Sequence, residues 1–508
     1  MTLRHAIVGT DKSFFTPSDL TQIAQQYTIN THNKSKEALL LQIAAIQGVQ
    51  NKAGFIPLTF NTPLPIAAAA ETLPLIPQNA IACLSQLLVT SPDGGTIISE
   101  LLNIITQKEF CVNPSVLPHL LNWAKNRKEL HPTIAQVIGE RGRWLAQQNP
   151  EWDFAQHTQQ TQTNLVIDWQ TATLAQRLPY IIHLRQTQPQ QATQLLQSTW
   201  HEENAEAAKV FLEQLKINLS ANDEPFLVMI CTDKRKTVRT LILDLLAQIP
   251  QSAYQTKLAA YVDTLINVSK SWLMPTKINL QLPTQINQQL QELGVEEKTK
   301  LVSGNERINW LAQLIVRLHP NYWTQKIGDI PQTMSAINKT DWANELTQAI
   351  TLQAIFHKHD TWLTFLYSHW ATQPNNETYC QNIATALSAT AWQQAVTQCL
   401  GFADPLLYLS ILINAQNLPL DTPQAQKTTQ LIGNRLLTHG VTNYYETTRY
   451  VPLLEKIALH IDPSNLVALH RKIQRLLDKL IEQPDYLSRP LQKVIEILEL
   501  RNQINSLF

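Results

Sequence analysis

The sequence predicts an all-α protein, a HEAT-like α-solenoid of stacked antiparallel helix pairs. Three observations carry this. Apolar residues recur at helical steps in nearly every segment, alternating runs that would mark strands are scarce, and residues 223–252 read as one complete helix–turn–helix unit. In that unit, Asp223 is placed as an N-cap with Glu224 and Pro225 behind it. A turn follows at Thr232–Lys236, and Val238, Leu241, Ile242, Leu245, Leu246 and Ile249 then form one apolar stripe. Asp233 is placed to cap the second helix or to bond into its turn. Arg239 lies six residues beyond it, a spacing that suggests an Asp233–Arg239 brace between neighbouring repeats.

The other elements follow in order. Residues 1–52 read as an N-terminal helical unit, with a helix opening at Ser18 or Asp19 and another over residues 35–49. Residues 53–77 are a proline-rich connection, longer than most loops. HEAT-like repeats fill 78–275, with helices near 77–89, 95–107, 174–185, 189–200, 204–217 and 253–271. An irregular connection spans 276–304, and the alternation KINLQLP there permits a short strand. Further helical repeats run over 305–508.

Residues 117–152 stand apart from the rest of the repeats. Within them Gly139-Glu140-Arg141-Gly142-Arg143-Trp144 places two glycines three apart, each costing about 1 kcal/mol against alanine inside a helix. They mark either a close approach of another helix or a bend. Arg141, Arg143 and Trp144 are the candidate partner-binding residues, because Arg and Trp dominate interface anchors. The competing reading is an Arg–Glu pair bracing two helices, with Trp144 and Trp152 buried beneath.

Composition narrows the function. Lys+Arg and Asp+Glu both number 40, so no global field steers the chain onto nucleic acid or an anionic membrane. Cys83, Cys111, Cys231, Cys380 and Cys399 are scattered and mostly flanked by apolar residues, which suits buried free thiols in a reducing compartment. The first residues lack an apolar signal core, and prolines break the least charged stretch, residues 55–92. A cytoplasmic protein without a membrane span is expected.

The segments VGTDK, IGERGRWLAQQNPEW, the W-x-x-E at Trp200–Glu203 followed by DEPFL, TDKRKTVR, LLAQIPQS and the closing ILELRNQINSLF together resemble a bacterial domain-of-unknown-function family of HEAT-type helical proteins. The resemblance runs from Ile7 to Phe508, with gaps around Lys277–Lys300 and Asn375–Thr390. It implies protein partners encoded nearby: MoxR-type AAA+ ATPases, von Willebrand factor A-domain proteins and SWIM zinc-finger proteins. Members often carry a further Asp in the capping turn, where Thr232-Asp233-Lys234-Arg235 has one, so no paired-carboxylate role carries over. The resemblance implies no catalytic residues.

The residues themselves suggest little chemistry. GTDKS at Gly9–Ser13 lacks the upstream glycine of a phosphate-cradling loop, and neither C-x-x-C nor H-E-x-x-H occurs. His357, His359 and Asp360 form a local cluster, but a spacing of two does not put ligands on one helical face, so a solvated helix end is expected. Lys234, Arg235, Lys236 and Arg239 suit a solvated turn better than phosphate contact. Trp272, Trp310, Trp323, Trp362 and Trp370 end helical stripes and read as core. Residues 470–501 hold seven Lys/Arg and five Asp/Glu, a mixed-charge helix surface. The reading is a non-enzymatic scaffold for protein partners, without catalytic residues, cofactor or metal. The rival is a nucleic-acid-binding HEAT-like protein related to DNA repair, which net neutrality disfavours. A weaker third is a hydrolase assembled from distant helices.

Overall fold

In the computed structural model, residues 17–54, 65–90, 94–156, 168–270, 276–440, 444–479 and 485–508 are described. They fall into two units, Met1–Ala68 and Ala69–Phe508. The first holds α1 (Pro17–Gln26) and α2 (Lys36–Ala53). Ser35 starts α2 by accepting the Ala38 amide, and Leu39, Leu40 and Ile43 bury against Ala24, Ile23 and Tyr27.

The second unit opens with α3 (Gln78–Thr90), α4 (Gly94–Gln107), α5 (Leu117–Ala124), α6 (His131–Val137) and α7 (Gly139–Gln148). A repeating array follows: α8 (Leu174–Thr187), α9 (Pro189–Thr199), α10 (Ala205–Leu215), α11 (Glu224–Ile230), α12 (Lys236–Gln248) and α13 (Ala253–Leu265). After the short α14 (Gln288–Glu292) come α15 (Glu306–Arg317), α16 (Asn321–Lys326), α17 (Ile330–Ile337), α18 (Ala343–Phe356), α19 (Asp360–Ala371), α20 (Glu377–Ala386) and α21 (Ala389–Cys399). The array ends with α22 (Leu406–Ala415), α23 (Thr422–Arg435), α24 (Tyr444–His460), α25 (Leu466–Lys479) and α26 (Asp485–Asn505).

These helices begin where short polar side chains can satisfy free amides. Asn204, Ser252, Asn305, Asp329, Ser388 and Asp421 each accept an amide of the helix that follows. Each helix buries one stripe, and consecutive helices pack as antiparallel hairpins. Within the second unit the hairpins stack in two layers, an all-α HEAT-like solenoid. One layer runs α8, α10, α12, α15, α18, α20, α22, α24, α26, each helix on the next. That layer then continues from α26 into α4 and α6, so order in space departs from order in sequence.

Two elements differ from the sequence reading. The helix expected to Ser271 stops at Leu265, and Ile266–Ser269 (β1) pairs antiparallel with Lys277–Leu280 (β2), Val268 facing Ile278. The apolar step of β1 fits either period, and only pairing with the KINL alternation decides it. Asp223 does not cap α11; its carboxylate is turned into the core. AIVGTDK lies outside the described residues, as does Trp272. Of the proline-rich connection, Leu75 bridges to Cys111 and Ile76 is buried. Trp310, Trp323, Trp362 and Trp370 are buried, as is Trp392. Four of these indoles are satisfied: Trp323 donates to Gln353, Trp370 to Thr351, Trp392 to the Leu412 carbonyl and Trp310 to the Glu297 carbonyl. Cys83, Cys111, Cys380 and Cys399 are buried free thiols pushed up by burial, Cys380 to about 12, and Cys231 is half-buried. No helix among the described residues is long and apolar enough to cross a membrane.

Candidate functional site

The N-terminus of α7 carries the three candidate partner-binding residues. Gly139 sits at φ +62°, a left-handed conformation that breaks α6 from α7, so the paired glycines mark a bend. The freed amides of Glu140 and Arg141 donate to the Glu71 carboxylate at 2.8 and 3.0 Å. A Cβ at Gly139 would collide with that carboxylate, so the glycine is fixed by space as well as by backbone angle. Arg143 pairs with Glu140 at 2.6 Å and also donates to the Ala135 carbonyl. Arg141 is exposed, while Arg143 and Trp144 are half-buried. Trp152 is also half-buried, its indole donating to Asn122 at 2.9 Å. The Arg143–Glu140 pair thus lies within α7 and does not brace two helices. Only the Arg143 bond to the Ala135 carbonyl reaches α6, Arg141 faces outward, and Trp144 and Trp152 are not fully buried beneath.

The Asp233–Arg239 brace is not formed. Arg239 is exposed, and Asp233 instead binds Arg235 through both oxygens, at 2.6 and 2.9 Å. Those bonds hold the Asp233 carboxyl below its usual range, with Arg239 adding only a distant charge. Asp233 also accepts the Arg235 amide at 2.8 Å, so it bonds into the turn. The physical reason is reach. The turn brings Arg235 back over Asp233, whereas Arg239 is one helical turn further along and faces water. Arg235 carries the brace: its guanidinium donates to the Glu203 carbonyl of the preceding repeat at 2.7 Å and lies over Trp200. Glu203 in turn pairs with Arg177, which is sandwiched against Trp169 and Phe211. Asp233, Arg235, Glu203 and Arg177 thus form one polar chain across successive hairpins.

A deeper pair escaped the sequence reading. Arg185 of α8 is wholly buried and meets Asp223, 2% exposed, at 2.8 and 3.1 Å. The guanidinium also donates to Thr193 and to the carbonyls of Leu215, Ile217 and Pro189. Asp223 further accepts from Thr193 and the Ser220 amide. A second such pair joins Arg501 of α26 to Glu100 of α4, with Asn505 and the Ala458 carbonyl completing it. Nearby, Phe508 packs on Phe110, ring centroids 5.6 Å apart. A crevice of about 980 Å³ opens at this seam, lined by Ser99, Asn103, Arg127, His460, Asp462 and Asn505 among others.

The local histidine cluster is not a solvated helix end. His357 and His359 are half-buried and gather a third ring, His319, with centroids 5.4 and 6.0 Å from it. Asp360 points elsewhere, to Ser388. Among the described residues no group of three or more His, Cys, Asp or Glu is arranged to hold a metal. Burial pulls all three imidazoles below their ordinary value, His357 to about 4, with the neighbouring rings adding to the shift at His357 and His319. Neutral rings are thus favoured in the fold, so the unfolded chain takes up protons first as the pH drops. Stability is expected to be full above about pH 6.5 and to fall progressively toward pH 4, with His357 alone contributing about 3 kcal/mol. His357→Gln should flatten that decline in denaturant titrations at pH 7 and pH 4.5. An unchanged slope would remove His357 from the acid response.

The chain belongs to a family of unknown function, DUF5691, whose model matches residues 1–508. Among curated proteins none matches it. Among solved structures, the chain is similar to one described as the crystal structure of Kap121p bound to Pho4p. The match has a TM-score of 0.26 and 11% identity, and covers 96% of this chain and 53% of that one. The chain therefore spans about half the length of that structure's chain.

Proposed function

We propose that this protein is a non-enzymatic helical-repeat scaffold for protein–protein interaction, an accessory partner of a MoxR-type AAA+ ATPase and von Willebrand A-domain system. The observation that carries the reading is how its buried and half-buried charges are employed. Arg185, Asp223, Arg501 and Glu100 are each bonded across helices, to one another and to backbone groups, so they hold the stack together. What faces outward is a long surface of helix ends and turns, suited to recognition. The particular partners come from the gene neighbourhood that the resemblance implies.

The α7 turn is the first anchor to test, because Arg141 is exposed on a backbone fixed by Glu71. Arg141→Glu combined with Trp144→Ala is expected to reduce recovery of the ATPase or A-domain protein by about tenfold. The same variant should lose only about 1–2 kcal/mol of stability, since Trp144 is half-buried. Unchanged recovery removes α7 as the anchor. Salt-sensitive DNA binding by the wild type, with neither protein recovered, replaces the scaffold reading by the nucleic-acid one.

A further inference from the structure

The structure separates what the sequence presents as one mixed-charge segment. The apolar face of α25, Leu466, Leu469, Ile473 and Leu476, is buried. On the opposite side lie Arg471, Arg475 and Lys479, all exposed, with Lys472 half-exposed beside them. None of the four makes an ion pair with another described residue. Most of the other close Lys or Arg ion pairs of the described surface link residues within a hairpin or between neighbouring ones, as in Lys125–Glu151, Lys216–Glu213, Lys326–Asp263 and Lys493–Glu455. This face thus carries four neighbouring cations without an ion pair among the described residues, in a chain with equal numbers of cations and anions.

Resting on the scaffold reading, we propose that this face of α25 is a docking strip for an extended acidic segment of a protein partner. Spacing supports it. Arg471, Arg475 and Lys479 rise about 6 Å per step along the helix. Alternate side chains of an extended peptide stand about 6.7 Å apart, so carboxylates at every second position meet successive cations. Val467, exposed at 48%, offers an apolar contact at the N-terminal end of the strip. Carboxylates bound the strip: Asp478 lies on the same helix, and Glu496 and Glu499 are exposed on α26, with Glu499 held by His470. A nucleic-acid backbone needs a longer uninterrupted cationic track than these carboxylates leave. A short acidic peptide fits between them.

The test uses the full chain and fluorescence anisotropy at low salt, where exposed charge pairs are least screened. The probes are a labelled peptide of about five residues alternating Glu and Ser, whose three carboxylates span about 13 Å in extended form against about 12 Å from Arg471 to Lys479, and a labelled single-stranded DNA. Arg471→Glu/Arg475→Glu is expected to weaken peptide binding at least about tenfold. Lys209→Glu/Lys257→Glu makes the same change in net charge on exposed positions of α10 and α13, and is expected to leave binding within about twofold. If the reversal variant misfolds, Arg471→Gln/Arg475→Gln takes its place. Equal losses in both reversal variants, absence of peptide binding, or tighter binding of DNA that is lost with Arg471 and Arg475 overturns the proposal. The partner pull-down and the peptide titration fail separately. A failed pull-down with a site-specific peptide removes the named partners and keeps the strip, and the converse removes the strip alone.

Discussion

Arg185→Ala is expected to lower stability by about 3–5 kcal/mol, the largest single loss among the polar residues, because it leaves Asp223 buried and charged without its partner. The loss has several parts. The carbonyls of Leu215 and Ile217 lose the Arg185 donor, that of Pro189 keeps the Thr193 hydroxyl, and the void falls where α8, α9, α10 and the start of α11 meet. Asp223→Ala should cost a similar amount for the mirrored reason. Replacing both together, Arg185→Met with Asp223→Leu, should recover much of the loss, since a buried pair exchanged for apolar volume is often neutral. Denaturant midpoints for Arg185→Ala, Asp223→Ala and the double alanine variant give the coupling directly. Additive losses would show that the pair is not a unit.

Arg501→Ala is expected to come next, at about 3 kcal/mol, and its effect should be local. The side chain is nearly buried and joins Glu100, from α4, to the Ala458 carbonyl at the end of α24. Removing it loosens the seam on which α4 rests against α26. Amides of α3 to α6 should then exchange with solvent faster, while those of α18 to α20 keep their protection. Breaking the more exposed Lys493–Glu455 pair on the same helix should cost less than about 1 kcal/mol and leave exchange unchanged. A uniform rise in exchange across the unit would mean that the seam does not act as a separate region.

The helices were legible because each writes its own signal locally. Stripes such as Val238, Ile242, Leu245 and Leu246 fix the buried face, whereas the start was less legible: Asp223 has the residue type of a cap but its carboxylate is drawn into the core by Arg185. Pairing was not legible in the same way. The spacing of Asp233 and Arg239 suggested a brace, but a turn can fold any of several nearby cations onto one carboxylate, and Arg235 was closer. Arg185 and Asp223 lie 38 residues apart, and nothing near either one names the other. The only cue was an arginine on the buried side of α8, four residues after Ile181. His319 joined His357 and His359 for a similar reason: stacked hairpins bring one connecting turn beside the next. Several residues of the motifs that carried the family resemblance lie where hairpins stack. Trp200, Glu203, Asp223, Asp233, Arg235 and Arg501 all sit at junctions between hairpins.

The contact of α26 with α4 has a consequence for how the chain is made. Glu100 and Arg501 are 401 residues apart, so α4 leaves the ribosome long before the helix that covers it exists. Hairpins in the middle of the array can close as soon as their neighbour appears, through short-range contacts that form quickly. The first hairpins of the unit must wait with part of their apolar surface open, which is the interval in which aggregation competes with folding. A nascent chain arrested before residue 485 should therefore carry a folded centre and a protease-sensitive beginning, and release of the last helix should protect both ends in one step.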